Sequence, residues 1–250
     1  MRLTTPAFVL RQVRWSDSSL ILTLYSLDLG RTSAMAKGAL RPGSSFAGQL
    51  ELFSLVEVGL SRREGRELDT ITSASAMEHN QALRSDPLAF GHACLFGEWV
   101  LGLMYGNEPS QPVFHLIART LAGLCVLPDR WAVTCAGVES LVRLAGMGIE
   151  LRRCTLCGRE TGDSARFSAR SGGVVCEACG TDVREVPKGV IEYLRKVREG
   201  GLEAACRIRL WKGGHRQCHD LLRAFVEAQL QNRLRLRSLD ILEDLENDAG

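Results

Sequence analysis

The segment FVLRQVRWSDSSLILTLYSLDLGRTSAMA, residues 8–36, contains three short strand candidates separated by two polar turns. Two more candidates follow it, each bounded by a loop rich in glycine, serine or charge. The five candidates are residues 8–14, 20–25, 32–36, 50–60 and 68–76. Short strands with turn signals at a spacing of about 8–12 residues predict a small closed barrel. We therefore expect a five-stranded barrel of the OB-fold type over residues 1–80.

The rest of the chain has a helical period. Asp86-Pro87 is a helix start, and proline recurs in the first turn of three helix candidates. The candidates are residues 87–105, 112–126, 128–145, 187–201, 202–211 and 215–234. The prediction is an α+β multidomain protein: the barrel (1–80), an all-α domain (81–150 and 187–237), a cysteine-bearing insert (151–186) and an acidic tail (238–250).

Composition excludes some classes of protein. The hydrophobic fraction is 45% and the charged fraction 24%, which is typical of a globular chain and not of a disordered one. The net charge of +2 hides an asymmetry, because residues 187–237 carry twelve Lys or Arg against five Asp or Glu. That excess predicts either a solvated helical face or a binding surface. The N-terminal apolar run is too short for a signal peptide, and His92 and Glu98 interrupt the most apolar stretch. We expect a cytoplasmic protein without a membrane partner.

The most specific motif is a pair of cysteine knuckles. Cys154-x₂-Cys157 and Cys176-x₂-Cys179 are separated by eighteen residues, and a glycine follows each pair. Two such pairs at this distance predict a four-thiolate zinc site in a zinc-ribbon-like module. Four thiolates leave no open coordination position, so we expect one structural zinc ion per chain.

A second group, Cys206, His215, Cys218 and His219, is rich in metal-ligand types but has poor helical spacing, and we expect no metal there. The remaining cysteines lie at apolar helix positions. They are Cys94, Cys125 and Cys135, which we interpret as core residues. Phosphate-loop, dinucleotide, zinc-protease, nucleophile-elbow and zinc-deaminase motifs are absent from the sequence, so we expect neither catalysis nor a nucleotide cofactor.

Basic residues accompany the predicted barrel loops. The candidate nucleic-acid-binding residues are Arg31, Lys37, Arg41, Arg62, Arg63 and Arg66. Barrels of this size grip single strands through such faces. The alternative is a solvated hairpin, and nearby acids cancel much of the charge of the last three residues. Aromatic residues are sparse, so binding would depend on phosphate charge and be insensitive to sequence.

Four features in order resemble one family. They are Ala36-Lys37-Gly38-Ala39-Leu40-Arg41 with its serine-rich loop, Leu50-Glu51-Leu52-Phe53, the C-x₂-C insert within a helical body, and Leu236-Arg237-Ser238-Leu239. Over residues 5–245, the chain resembles the RecO family of bacterial recombination mediators. Some members of that family lack the cysteines, whereas this chain keeps all four.

The resemblance implies a function. Proteins of this kind bind single- and double-stranded DNA, anneal complementary strands, and with RecR help load RecA onto DNA coated by single-strand-binding protein. They bind the acidic, apolar C-terminal tail of that protein through the helical region. The resemblance implies DNA contacts at Lys37 and Arg41 and a nucleoid-associated location. Two alternatives remain open: a zinc-ribbon accessory module that binds RNA or protein in transcription or translation, and an uncharacterised hydrolase.

Overall fold

The fold is described from a computed structural model, which covers residues 1–62, 65, 68–106, 108–161, 166–181, 183 and 185–248. The strands are β1 (Arg2–Arg14), β2 (Leu20–Ser26), β3 (Gly30–Ala36), β4 (Leu55–Ser61), β5 (Asp69–Glu78), β6 (Arg166–Ser168) and β7 (Gly173–Val175). The helices are α1 (Gln81–Ser85), α2 (Pro87–Leu103), α3 (Gln111–Val126), α4 (Arg130–Leu144), α5 (Lys188–Arg207), α6 (Gly214–Leu230) and α7 (Ser238–Asp248).

The first five strands form a closed barrel in the order β1-β2-β3-β5-β4. Closure comes from β1, which pairs antiparallel with β2 on one edge and with β4 on the other. Alternate side chains of the strands fill the interior, together with three residues of the connecting loops. These buried residues are Ala7, Val9, Leu22, Leu24, Leu29, Ala34, Ala36, Ala39, Leu50, Val56, Val58, Leu60 and Ile71. The predicted five-stranded barrel is confirmed.

The middle of strand β1, residues 6–10, is apolar without alternation because both of its faces are covered. Ala7 and Val9 point into the barrel, whereas the ring of Phe8 packs on Phe114 of α3, with 5.0 Å between centroids. The carbonyl of Leu10 lies beside Gly97 of α2. A continuous apolar run is the pattern expected of a strand that is buried on both faces.

Helix α7 occupies the segment for which we expected an acidic tail. Leu239 and Leu242 are buried, and Leu242 approaches α2 at Gly91, where a side chain would collide with it. At the helix N-terminus, the backbone N–H of Ser238 donates to the Glu98 carboxylate at 3.1 Å. A carboxylate at a helix N-terminus is favourable, because the helix dipole is positive there. The segment is therefore an ordered helix, on which Asp240 and Asp244 are exposed.

Helices α4, α5 and α6 pack against one another around a second core. The hydroxyl of Tyr193 on α5 donates to the carbonyl of Ala132 on α4 at 3.2 Å. Helix α5 is broken at Gly201, whose φ of 60° lies in the left-handed region. The backbone at Gly201 therefore separates α5 into the two helices that we predicted, and the second of them ends at Arg207 instead of Trp211.

By the density of its internal contacts, the chain divides into two compact units. One contains residues 1–125 and 237–250, and the other contains residues 126–236. The helices that we predicted as a single domain occur in both units, and the cysteine insert is part of the second. Within the described residues, no helix has both the length and the apolarity that a membrane crossing requires.

Because only one face of α7 is buried, substitutions of two neighbouring side chains of equal size should differ in their effect on the free energy of unfolding. Leu242 is fully buried, so Leu242→Ala should lower the free energy of unfolding by about 2–4 kcal/mol. Ile241 is 57% exposed, and Ile241→Ala should stay within about 0.5 kcal/mol of wild type. Denaturant unfolding of the two variants measures the difference. Equal, small effects would show that α7 contributes little to the stability of its unit.

Candidate metal centre and nucleic-acid interface

The four predicted cysteine ligands come together in the insert. Cys154 and Cys157 precede strand β6, and Cys176 and Cys179 follow strand β7. The four sulfur atoms all lie within 4.8 Å of one another. Cys154 is buried, and Cys157 is exposed. The sequence spacing therefore identified a cluster that could hold a metal ion.

Each pair of cysteines sits in a tight backbone turn. The N–H of Gly158 donates to the carbonyl of Cys154 at 2.8 Å, and the N–H of Gly180 donates to that of Cys176 at 2.9 Å. Gly158 has a φ of 74°, which glycine adopts without strain. Gly180 lacks positive φ, but a Cβ there would approach Val175 and the carbonyl of Cys176 to 3.1–3.2 Å. Conformation thus favours glycine at the first position, and limited space favours it at the second.

The electrostatics of the cluster favour a bound cation. Backbone N–H groups, that of Cys176 foremost, lower the pKa of Cys154 to about 6. Hydrogen bonds with the neighbouring thiols of Cys176 and Cys157 raise the pKa of Cys179 to about 12. Four sulfurs this close resist full deprotonation, because thiolates repel one another. A thiophilic dication offsets that repulsion, and the donor set fits such an ion.

In the second group of possible metal ligands, His215, Cys218 and His219 each contact a different neighbour. The Nδ1 atom of His215 lies 3.1 Å from the carboxylate of Asp129, and its carbonyl accepts from the thiol of Cys135 at 2.9 Å. The thiol of Cys218 instead faces the carbonyl of Val190. The ring of His219 packs edge-on against Trp131 at 5.5 Å between centroids. These side chains link α4, α5 and α6. Among the described residues, the clustering of possible ligands is confined to the four cysteines of the insert.

Lys37 and Arg41 lie at the two ends of the turn that follows β3, and both are exposed. The backbone N–H of Arg41 donates to the carbonyl of Gly38 at 3.1 Å, and that of Leu40 donates to Ser18 at 3.0 Å. Within the described part of the chain, neither cation forms an ion pair with a carboxylate. Both side chains are therefore available to an anion from solvent.

The other predicted cations have different surroundings. Arg31 donates to the carbonyl of Leu101 at 2.8 Å and so ties β3 to the end of α2. The Nε atom of Arg62 lies 3.1 Å from the carboxylate of Asp69, which is buried. A buried carboxylate needs such a partner, because an uncompensated charge there is costly. The geometry gives both arginines structural contacts. Arg63 and Arg66 lie outside the described residues.

The basic excess of the second unit is partly structural. Arg198 on α5 pairs with the buried carboxylate of Glu139 at 2.9 Å and donates to the carbonyl of Ile149 at 2.6 Å. Arg195 donates to the carbonyl of Leu151 at 2.6 Å. These arginines hold α5 against α4 and the start of the insert. The charge count of residues 187–237 therefore overstates the cations that a partner could contact.

Comparison with known sequences accounts for nearly the whole chain. The model of the recombination protein O N-terminal domain matches residues 1–79, which contain the barrel. The model of the recombination protein O C-terminal domain matches residues 84–239. The chain belongs to the RecO family. The resemblance inferred from the order of motifs is confirmed.

Several RecO family members are similar over most of their length. A protein from Anaeromyxobacter dehalogenans strain 2CP-C is 32% identical over 240 residues, which cover 94% of each chain. One from Desulfatibacillum aliphaticivorans is 29% identical over 251 residues, covering 97% of this chain and 96% of its own. One from Rubrobacter xylanophilus is 33% identical over 195 residues, covering 76% of this chain and 77% of its own. All three are named DNA repair protein RecO.

The cysteine cluster predicts one metal ion per chain. Cys154→Ser should abolish metal binding and destabilise the insert, because it removes a buried ligand. Cys206→Ser, outside the cluster, should leave the metal content unchanged. Elemental analysis of protein purified without chelator measures both. Metal-free wild-type protein, or equal loss in both variants, would contradict the assignment.

The pKa of His219 predicts a pH effect on stability. Burial lowers this pKa below its usual value of 6.5, and the neighbouring Asp220 offsets part of the shift. Since the unfolded imidazole takes up a proton first, stability present above pH 6.5 is lost as the pH falls. His219→Gln should flatten the decline in unfolding free energy between pH 7.5 and about 5.5. Urea unfolding at several pH values compares the slopes, and parallel curves for variant and wild type would contradict the prediction.

Proposed function

We propose that this protein is a DNA repair and recombination mediator that binds single- and double-stranded DNA through the turn bearing Lys37 and Arg41. It anneals complementary strands and, with RecR, helps load RecA onto DNA coated by single-strand-binding protein. The proposal is supported by the family match over both parts of the chain. The observation that carries it is a pair of exposed cations, with no carboxylate partner among the described residues, on a closed five-stranded barrel.

Annealing of this kind needs charge neutralisation and no catalytic group. Two strands repel each other through their phosphates, and cations that neutralise both lower that barrier while the bases stay accessible. Phosphate contacts carry no sequence information, so the activity serves any complementary pair. The proposal therefore assigns the protein no catalytic residue, no nucleotide cofactor and no enzymatic step.

The metal proposed for the cysteine cluster is zinc in a structural role. Zinc–sulfur bonds of about 2.3 Å in a tetrahedron place the sulfurs about 3.8 Å apart. The sulfurs of Cys157 and Cys176 lie 3.7 Å apart, which supports this assignment. Cys154, Cys157, Cys176 and Cys179 would hold the ion. When bound, it supplies a cross-link for the insert and no open coordination position.

The partners of the proposed role are other proteins of the same pathway. RecR and the acidic, apolar tail of single-strand-binding protein would bind this chain, the tail through the helical region. The cytoplasm, at the nucleoid, is the proposed location. A zinc-ribbon module for RNA is the competing function, and the comparison of DNA with RNA below separates the two.

The role of Lys37 and Arg41 can be tested by salt dependence. The double variant Lys37→Ala/Arg41→Ala should bind single strands more weakly than wild type does, whatever their base sequence. Its slope of log affinity against log salt should fall by about 1.4, because each lost phosphate contact on a single strand removes about 0.7. Titration of labelled homopolymer strands at several salt concentrations gives the slopes, and annealing should decline in parallel.

The matched control removes two exposed cations elsewhere. Arg2 lies at the far end of β1 from the β1–β2 loop, and Arg143 lies at the end of α4. Arg2→Ala/Arg143→Ala makes the same change in net charge and should leave the slope near that of wild type. Identical plots of log affinity against log salt for wild type and the Lys37→Ala/Arg41→Ala variant would place the DNA contact elsewhere. Tighter binding of RNA than of DNA of equal length would favour the competing function.

The mediator role has its own test. Complementary oligonucleotides should anneal faster with the protein than without it, both when bare and when coated with single-strand-binding protein. A fluorescence-quenching assay with strands labelled at opposite ends follows the rate. Acceleration of bare strands alone would remove single-strand-binding protein from the proposed partners.

A further inference from the structure

The loop between β1 and β2 carries an exposed indole ring. Trp15 directly follows β1, and 65% of the residue is accessible to solvent. Its ring makes no aromatic or cation contact with the residues that the structure describes. Trp99, by contrast, is fully buried in α2. Exposure of so large an apolar ring is unfavourable in the isolated protein, so a bound partner that covers it would gain affinity.

This loop is hydrogen-bonded to the turn that carries the proposed DNA-binding cations. The N–H of Trp15 donates to the carbonyl of Ser19 at 3.0 Å, and the hydroxyl of Ser19 accepts from the N–H of Gly38 at 3.4 Å. A second link joins Leu40 to Ser18 at 3.0 Å. Two hydrogen bonds, one of them through the Ser19 hydroxyl, thus connect Trp15 to the residue that follows Lys37.

The charges around the indole suit a phosphate chain. Lys37 and Arg41 lie on the turn to which this loop is hydrogen-bonded, and they lack carboxylate partners among the described residues. The one carboxylate of the loop, on Asp17, lies 3.7 Å from the guanidinium of Arg14, which compensates it. An exposed ring beside two available cations matches the way single strands bind: phosphates on basic groups and bases stacked on an aromatic face.

We propose that Trp15 is a stacking platform for one unpaired base of a DNA strand whose phosphates contact Lys37 and Arg41. The inference rests on the proposed function and adds a contact to the same site. Stacking on an indole tolerates every base, since each base has a π-face. A base within a duplex is already stacked on its neighbours and is unavailable. Trp15 therefore gives the barrel a preference for single strands that phosphate contacts alone do not supply.

The test replaces the ring in two ways. Trp15→Leu keeps apolar bulk without a π-face and should weaken binding of a single strand about tenfold, within the range for the loss of one stacked base. Trp15→Phe keeps a face and should stay within about threefold of wild type on the same principle. Duplex affinity should be nearly unchanged in both. Met77→Ala, which removes another exposed apolar side chain of the barrel, is the matched control and should bind like wild type.

Tryptophan emission supplies an independent readout. Titration of wild-type protein with a thymidine homopolymer should quench the emission in step with binding. In Trp15→Phe the quenching should be largely lost while the affinity remains. Unfolding curves of each variant confirm that the fold is intact, as expected for an exposed position.

The outcomes separate this inference from the function beneath it. If Trp15→Leu binds single strands like wild type, or loses equal affinity for single strands and duplex, the stacking role is wrong. The proposed function would then still stand, provided that Lys37→Ala/Arg41→Ala weakens binding. If wild-type protein binds neither form of DNA, the proposed function itself fails. Trp15 could instead belong to a binding surface for an acidic peptide. In that case, such a peptide would quench the tryptophan emission and DNA would not compete with it, and this result would also overturn the inference.

Discussion

The pairing of strand β1 along both edges is the constraint on which the first unit depends. Its contacts with β2 and β4 close the barrel and leave no exposed edge on this strand. The same register positions the candidate site. Arg14 pairs with Leu20, and Leu20 pairs with Ala36, so the loop that ends β1 meets the turn that ends β3. The neighbourhood of Trp15 and Lys37 is thus a consequence of strand register.

The insert is held together by different means. Its two strands have three residues each, and so short a segment cannot bury enough apolar surface to stabilise itself. Four sulfurs within 4.8 Å replace that missing core if a metal ion joins them. A backbone bridge between Glu150 and Gly173 ties the insert to the end of the preceding segment, and a side chain at Gly173 would collide with the Glu150 carbonyl. With the proposed metal bound, a cross-link would add to this close backbone approach in holding the module together.

Features that depend on local spacing could be predicted from the sequence. Which carboxylate pairs with a given arginine, and whether it is buried, could not. Turn signals and apolar runs predicted the barrel, and the cysteine spacing predicted the cluster. The sequence showed acids near Arg62, but not that one of them, Asp69, is buried against its guanidinium, whereas Lys37 faces solvent. Helix α7 was missed because its acids suggested a solvated tail. Its leucines nonetheless recur three residues apart, the signal of an apolar helix face.

The scarcity of aromatic residues on the barrel bears on the proposed annealing. A surface with many stacking rings would hold a strand tightly and bury the bases that must pair with the complement. In the proposed site, two available cations and one exposed indole would form a small contact, whose electrostatic part weakens as salt rises. Such a contact would position a strand by its phosphates and one base while the others stay open. Pairing would then withdraw the stacked base from Trp15 and favour release of the finished duplex.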